Sequence, residues 1–114
     1  MKKALYVDDD GFIIRCLRRA FGDNNPNIAI AECHTVEEAF QAIDKEKPDV
    51  IFLDNDLTRR GNEGLKIADR VKDVKIYSTT GNATDEVLSE YERRGIEIIR
   101  KTDFDKIRSI LASD

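Results

Sequence analysis

Pro48-Asp49-Val50-Ile51-Phe52-Leu53-Asp54-Asn55-Asp56-Leu57 is the stretch that decides the fold. Val50 to Leu53 is apolar throughout, as expected of a short strand buried on both faces. It stops abruptly at Asp54-Asn55-Asp56. A carboxylate at the carboxyl end of a buried central strand sits where open α/β sheets bind ligands. Asp and Asn also favour turns, so one such Asp does not decide the matter. Other segments of the chain decide it, because they too end in polar groups that could meet Asp54.

Upstream, Lys3 to Val7 reads as a first strand ending in Asp8-Asp9-Asp10. From Gly11 the apolar residues Phe12, Ile13, Cys16, Leu17, Ala20 and Phe21 follow helical spacing. Gly22 and the polar run to Asn27, with Pro26 inside it, close that helix. Ile28 to Ala31 is a second strand. Thr35-Val36-Glu37-Glu38 has capping-box spacing and opens a helix with an apolar stripe of Val36, Ala39, Phe40 and Ile43. Lys47-Pro48 ends it, and Asp49 to Leu53 is the third strand. Downstream, a polar loop with Gly61 and Gly64 leads to a short helix over Leu65 to Val71. Val74 to Thr79 is a fourth strand, followed by Thr80-Gly81-Asn82. Thr84 to Arg94 is a helix with Val87, Leu88 and Tyr91 inward, and Gly95 stands where helices often stop. Ile96 to Arg100 is a fifth strand, ending in Lys101. Asp103 can cap a last helix carrying Phe104, Ile107, Ile110 and Leu111.

Five βα units in strict alternation predict a parallel sheet with helices on both faces. Right-handed crossovers then gather all strand carboxyl ends on one edge. The 114 residues suit one domain, residues 1–114, and the chain stops one helix after the fifth strand, so no output domain is expected. Charged residues are 37% of the chain, yet the formal net charge is only −4, which argues against a general nucleic-acid or membrane-surface binder. No apolar run approaches the ~20 residues that span a bilayer. The apolar stretch after Lys2-Lys3 is too short for a signal peptide, so a cytoplasmic location is expected. Cys16 and Cys33 lack metal or redox spacing and read as free thiols. His34 is the one histidine, which disfavours a His-based metal site or a Ser-His-Asp triad.

The shared edge would bring together Asp8, Asp9, Asp10, Asp54, Asp56, Thr79, Thr80 and Lys101. Taken singly each has a plain reading: Asp8 to Asp10 as a turn and helix N-cap, Lys101 as a solvated strand end. Together they are costly, because clustered carboxylates repel unless a cation or proton sits among them. Oxygen-only donors favour Mg²⁺. A divalent ion facing a hydroxyl and an ammonium suits a phosphoryl group, and one carboxylate would be the nucleophile, giving an acyl phosphate.

Asp-Asp after strand one, Asp after strand three, Thr after strand four and Lys after strand five resembles the response-regulator receiver domains of two-component signalling. The resemblance covers the whole chain. It implies a flavodoxin-like (βα)5 fold with strand order 2-1-3-4-5. It implies Asp54 as phosphoacceptor, with Mg²⁺ (or Mn²⁺) held by Asp8, Asp9, Asp54 and the backbone carbonyl of Asp56. Thr80 would be the switch hydroxyl, with Thr79 its competitor, and Lys101 would contact the phosphoryl group. The implied phosphodonor is a sensor histidine kinase or a histidine phosphotransfer protein, and the output is contact with a downstream protein. Such a domain is not an enzyme, though it assists its own phosphorylation and dephosphorylation. The sequence departs from the family at Thr102, where Pro is usual, and at Ile98, where an aromatic residue is usual. The loop after Asp54 also lacks Met-Pro. Three rivals stand beside this reading. Asp54-Asn55-Asp56-Leu57-Thr58 matches the D-x-D-x-T motif of haloacid-dehalogenase-type phosphatases, though the acidic pair comes first here and the chain is short. A flavodoxin-like cofactor binder would place a phosphate beside three aspartates after strand one. A pseudo-receiver would dock partners without phosphorylation.

Overall fold

Val50–Leu53 forms strand β3, with all four residues buried. Fully burying each such side chain contributes roughly 1.5–3 kcal/mol, so this strand anchors the sheet. The structure is a computed structural model that describes residues 2–9, 11–22, 26–55, 63–79 and 84–112. Strands β1 (Lys2–Val7) and β4 (Lys75–Ser78) flank β3, and β2 (Ile28–Cys33) and β5 (Glu97–Ile98) lie at the two edges. The order is β2-β1-β3-β4-β5, and every pair is parallel, as the flavodoxin-like reading requires.

Helices α1 (Gly11–Leu17), α2 (Val36–Glu46), α3 (Glu63–Arg70), α4 (Asp85–Arg93) and α5 (Phe104–Ala112) supply the two outer layers. Strand alternation splits the core between them. Leu5, Val7, Ile51 and Leu53 pack with Ala39 of α2, Ile67 of α3 and Tyr91 of α4. Ala4, Tyr6, Val50 and Phe52 pack on the other face with Ile14 and Leu17 of α1 and Ile107 of α5. Among the described residues no helix is long and apolar enough to cross a membrane.

The helix signals act much as the sequence predicts. Thr35 Oγ1 accepts the Glu38 N–H at 3.1 Å, while the Glu38 carboxylate reaches back to the N–H of His34, one residue before the expected Thr35. Thr84 caps α4 through Val87 N–H. Gly95, at φ 74°, ends α4 with two bonds, Gly95 N–H to Glu92 O and Ile96 N–H to Tyr91 O. Strand limits differ more. β2 runs two residues past Ala31, because Glu32 is balanced by Arg18 at 3.5 Å and so continues the strand. β5 is only Glu97–Ile98, an edge strand with β4 as its single neighbour. Arg18 also begins a π-helical turn, Arg18–Gly22, and donates to Ile30 O at 2.9 Å, covering part of the β2 edge.

Candidate functional site

The ladder of backbone hydrogen bonds continues one residue beyond the strands. Asp8 N–H donates to Cys33 O at 3.0 Å, Asp54 N–H to Val7 O at 2.9 Å, and Thr79 N–H to Leu53 O at 2.9 Å. Asp8, Asp54 and Thr79 therefore stand side by side at the carboxyl edge of the three central strands. Alternation sets them on the face of Tyr6, Phe52 and Tyr77, two residues earlier in each strand. Those rings stack in a row, each neighbouring pair 5.8 Å apart, and form an apolar floor under the acidic groups.

Oxygens of Asp8, Asp9 and Asp54 all lie within 4.8 Å of one another. Asp8 and Asp54 are buried and Asp9 is exposed. Lys101, just past β5, brings its Nζ to 3.1 Å from Asp8 Oδ2 and donates to Asp54 Oδ2 at 3.2 Å. One ammonium thus faces three carboxyl groups. Burial pushes the Asp54 carboxyl up to about 6; Lys101 opposes that rise, and Asp8 and Asp9 add to it by like-charge repulsion. The Asp9 carboxyl is also raised, first by burial and then by its hydrogen bond and charge contact with Asp8. Burial lowers the Lys101 pKa, but the charges of Asp54 and Asp8 outweigh it, and the net shift is upward. The cluster is short of positive charge and offers only oxygen donors, which fits a hard divalent cation.

Thr79 is fully buried, and among the described residues its hydroxyl has no hydrogen-bond partner, which costs about 1–3 kcal/mol in a dry site. It lies beside Asp54 and is available to a third group. Asp10, Asp56, Thr80 and the Thr58 of the D-x-D-x-T motif lie outside the described residues. His34 follows β2 directly. Its Nδ1 is 2.9 Å from the Asp8 carbonyl, and because a carbonyl can only accept, that nitrogen carries the proton.

The roles of two residues of this region, Asn55 and Gly64, escape the sequence reading. Asn55 is buried, and its Oδ1 accepts a hydrogen bond from the Tyr91 hydroxyl at 2.8 Å. Gly64, in the first turn of α3, donates its N–H to Asn55 O at 3.0 Å. The periodicity of α4 does turn Tyr91 inward, but nothing in the sequence names Asn55 as the acceptor of its hydroxyl.

Comparison with known proteins gives a consistent picture. The family described as "Response regulator receiver domain" matches residues 4–112. The sensory transduction protein LytT of Bacillus subtilis (strain 168) is 36% identical over 75 residues, covering 66% of this chain and 30% of that protein. The chain therefore spans less than a third of that relative's length. A two-component response regulator from Clostridium difficile superposes with a TM-score of 0.80 at 23% identity, covering 97% of this chain and 96% of that one. A response regulator protein from Burkholderia pseudomallei, solved with a phosphorylated aspartic acid, calcium ion and citrate, gives 0.78 at 22% identity, covering 99% and 68%. At such identities the structural likeness speaks to the fold.

Proposed function

The chain belongs to the response-regulator receiver family, and from that premise we propose that it accepts a phosphoryl group on Asp54 and signals through protein contacts. The observation that carries this reading is the meeting of three carboxyl groups with one lysine at the sheet edge, over an apolar floor. Asp54, ionised, attacks phosphorus. The bond from phosphorus to the donor breaks, and the donor leaves with the electron pair: acetate from acetyl phosphate, or an imidazole from phosphohistidine. Lys101 stays beside the transferred group and offsets its charge. Asp8, Asp9, Asp54 and the backbone carbonyl of Asp56 would hold Mg²⁺ or Mn²⁺, which when bound neutralises phosphoryl oxygens. The Burkholderia neighbour, with its phosphorylated aspartate and calcium ion, supports the same chemistry here. A histidine kinase or histidine phosphotransfer protein in the cytoplasm is the fitting donor. Acetyl phosphate with Mg²⁺ should add one phosphoryl group by intact mass, and none to Asp54→Ala. Equal labelling of both proteins would overturn the assignment.

The hydroxyl that donates to the phosphoryl group is one of the adjacent threonines. The residue spacing of the family favours Thr80; register with Asp54 and a hydroxyl without a partner among the described residues favour Thr79. Removing a single donor of this kind costs roughly 10²-fold in rate. We expect Thr79→Val to slow labelling to that extent and Thr80→Val to slow it less. The reverse ranking returns the role to Thr80.

A further inference from the structure

Tyr91 on α4 is fully buried. Its hydroxyl donates to Asn55 Oδ1, 2.8 Å away, on the residue that follows Asp54. Asn55 is gripped a second time at its carbonyl, by Gly64 N–H of α3. The approach is close: a Cβ on Gly64 would lie 2.6 Å from the Asp54 carbonyl oxygen and 2.8 Å from Asn55 Cα, and would strike the Tyr91 hydroxyl. One turn on, at the C-terminal cap of α4, Arg94 pairs through two nitrogens with both carboxylate oxygens of Asp69 on α3. Arg94 also donates to the carbonyl and the carboxylate of Glu90. The C-terminal turn of α4 is thus tied to α3 twice, by an ion pair to Asp69 near the end of α3 and, through Asn55, to Gly64 near its start. Ile98 packs on this same face of the sheet, so the buried ring there comes from α4 and not from β5.

We infer that Tyr91 is a positioning residue for the Asp54 site, acting through Asn55, and that it couples metal and phosphoryl occupancy to α4. The inference rests on the reading of Asp54 as phosphoacceptor. Asn55 supplies the backbone between the Asp54 nucleophile and the Asp56 carbonyl proposed for the metal. Fixing both its side chain and its carbonyl limits rotation of the two peptides that lead to those groups. Loss of the phenol donor frees that backbone without removing any ligand. Coupling of this kind is reciprocal, so occupancy of the site must also steady α4.

The test compares wild type, Tyr91→Phe, Asn55→Ala and the double variant. Acetyl-phosphate labelling is followed by intact mass across a Mg²⁺ titration, and unfolding is recorded with and without Mg²⁺. Removing a group that orients a metal site typically costs ten- to a hundredfold in affinity. We expect Tyr91→Phe to unfold cooperatively and to need about tenfold more Mg²⁺ for half-maximal labelling. The double variant should need no more than Asn55→Ala alone, because the two side chains act as one unit. A purely structural role would lower the melting temperature alike with and without Mg²⁺ and leave the titration midpoint unmoved; that result overturns the inference and spares the phosphoacceptor. Failure of wild type to label at Asp54 overturns both. Should Tyr91→Phe fail to fold, amide exchange on wild type decides: Mg²⁺ should slow exchange across residues 85–93 in wild type and not in Asp54→Asn. Equal exchange with and without Mg²⁺ overturns the coupling.

Discussion

Asp54→Asn should be more stable than wild type in metal-free buffer at pH 7, by about 1–3 kcal/mol. Asp54 is buried, and its carboxyl is raised from 3.8 to about 6. The folded state therefore holds a proton there that the unfolded chain has released. Stability from this group is fully present below about pH 4 and is lost as pH rises through 6. At pH 7 wild type has lost all of it, whereas the amide never ionises. The full shift corresponds to about 3 kcal/mol. The smaller end of the range allows for losing the contact with Lys101, which keeps Asp8 as a partner at 3.1 Å. The advantage of the variant should shrink from pH 6 toward pH 4. Mg²⁺ should reverse the order, since a ligand at about a thousand times its Kd stabilises the folded state by about 4.1 kcal/mol. Thermal or urea unfolding across pH, with EDTA and with Mg²⁺, measures all three effects. A variant that is less stable at pH 7 without metal, or a gap that ignores pH, would show that the carboxyl is not strained as described.

The same residues explain what a sequence can and cannot disclose here. β3 is legible because burial on both faces leaves four consecutive apolar residues. Asp8, Asp9, Asp54 and Lys101 are legible because each follows a strand, and parallel topology sends all such ends to one edge. The limits of β2 and β5 are not, for opposite reasons. Glu32 interrupts the apolar pattern of β2, but Arg18 balances it and the strand runs on. Ile96 and Ile99 extend the apolar pattern of β5, yet they are buried by packing and lie outside the two-residue strand. Choosing between Thr79 and Thr80 is harder still. A shift of one residue moves a side chain to the opposite face, and register is set by pairing with β3, which composition does not encode. The Tyr91–Asn55 bond joins residues 36 apart, and no periodicity reports the partner of a hydroxyl.

Gly64→Ala should be the most damaging single substitution in the region, costing about 3 kcal/mol and lowering the melting temperature by roughly 10 °C. Helix propensity alone points the other way, since Ala is favoured over Gly inside a helix by about 1 kcal/mol. Position decides the sign. The added methyl would sit 2.6 Å from the Asp54 carbonyl oxygen and 2.8 Å from Asn55 Cα, and against the Tyr91 hydroxyl. Two of these neighbours are backbone atoms at the end of the central strand, where the ladder bond from Asp54 N–H to Val7 O fixes the chain. They have little freedom to withdraw, so α3 must move outward. That movement would break the Gly64 N–H bond to Asn55 and take the phenol of Tyr91 with it. Gly95→Ala makes the control: a Cβ there meets nothing within 4 Å, and its φ of 74° carries only the cost of left-handed backbone, about 1–2 kcal/mol. Gly95→Ala should therefore lose stability yet keep its full response to Mg²⁺, while Gly64→Ala should lose both. Melting curves of the two variants with and without Mg²⁺ separate strain at a helix end from damage to the site. A Gly64→Ala protein that melts within about 2 °C of wild type would mean that α3 yields freely, and that its close approach to Asp54 is not a constraint on the site.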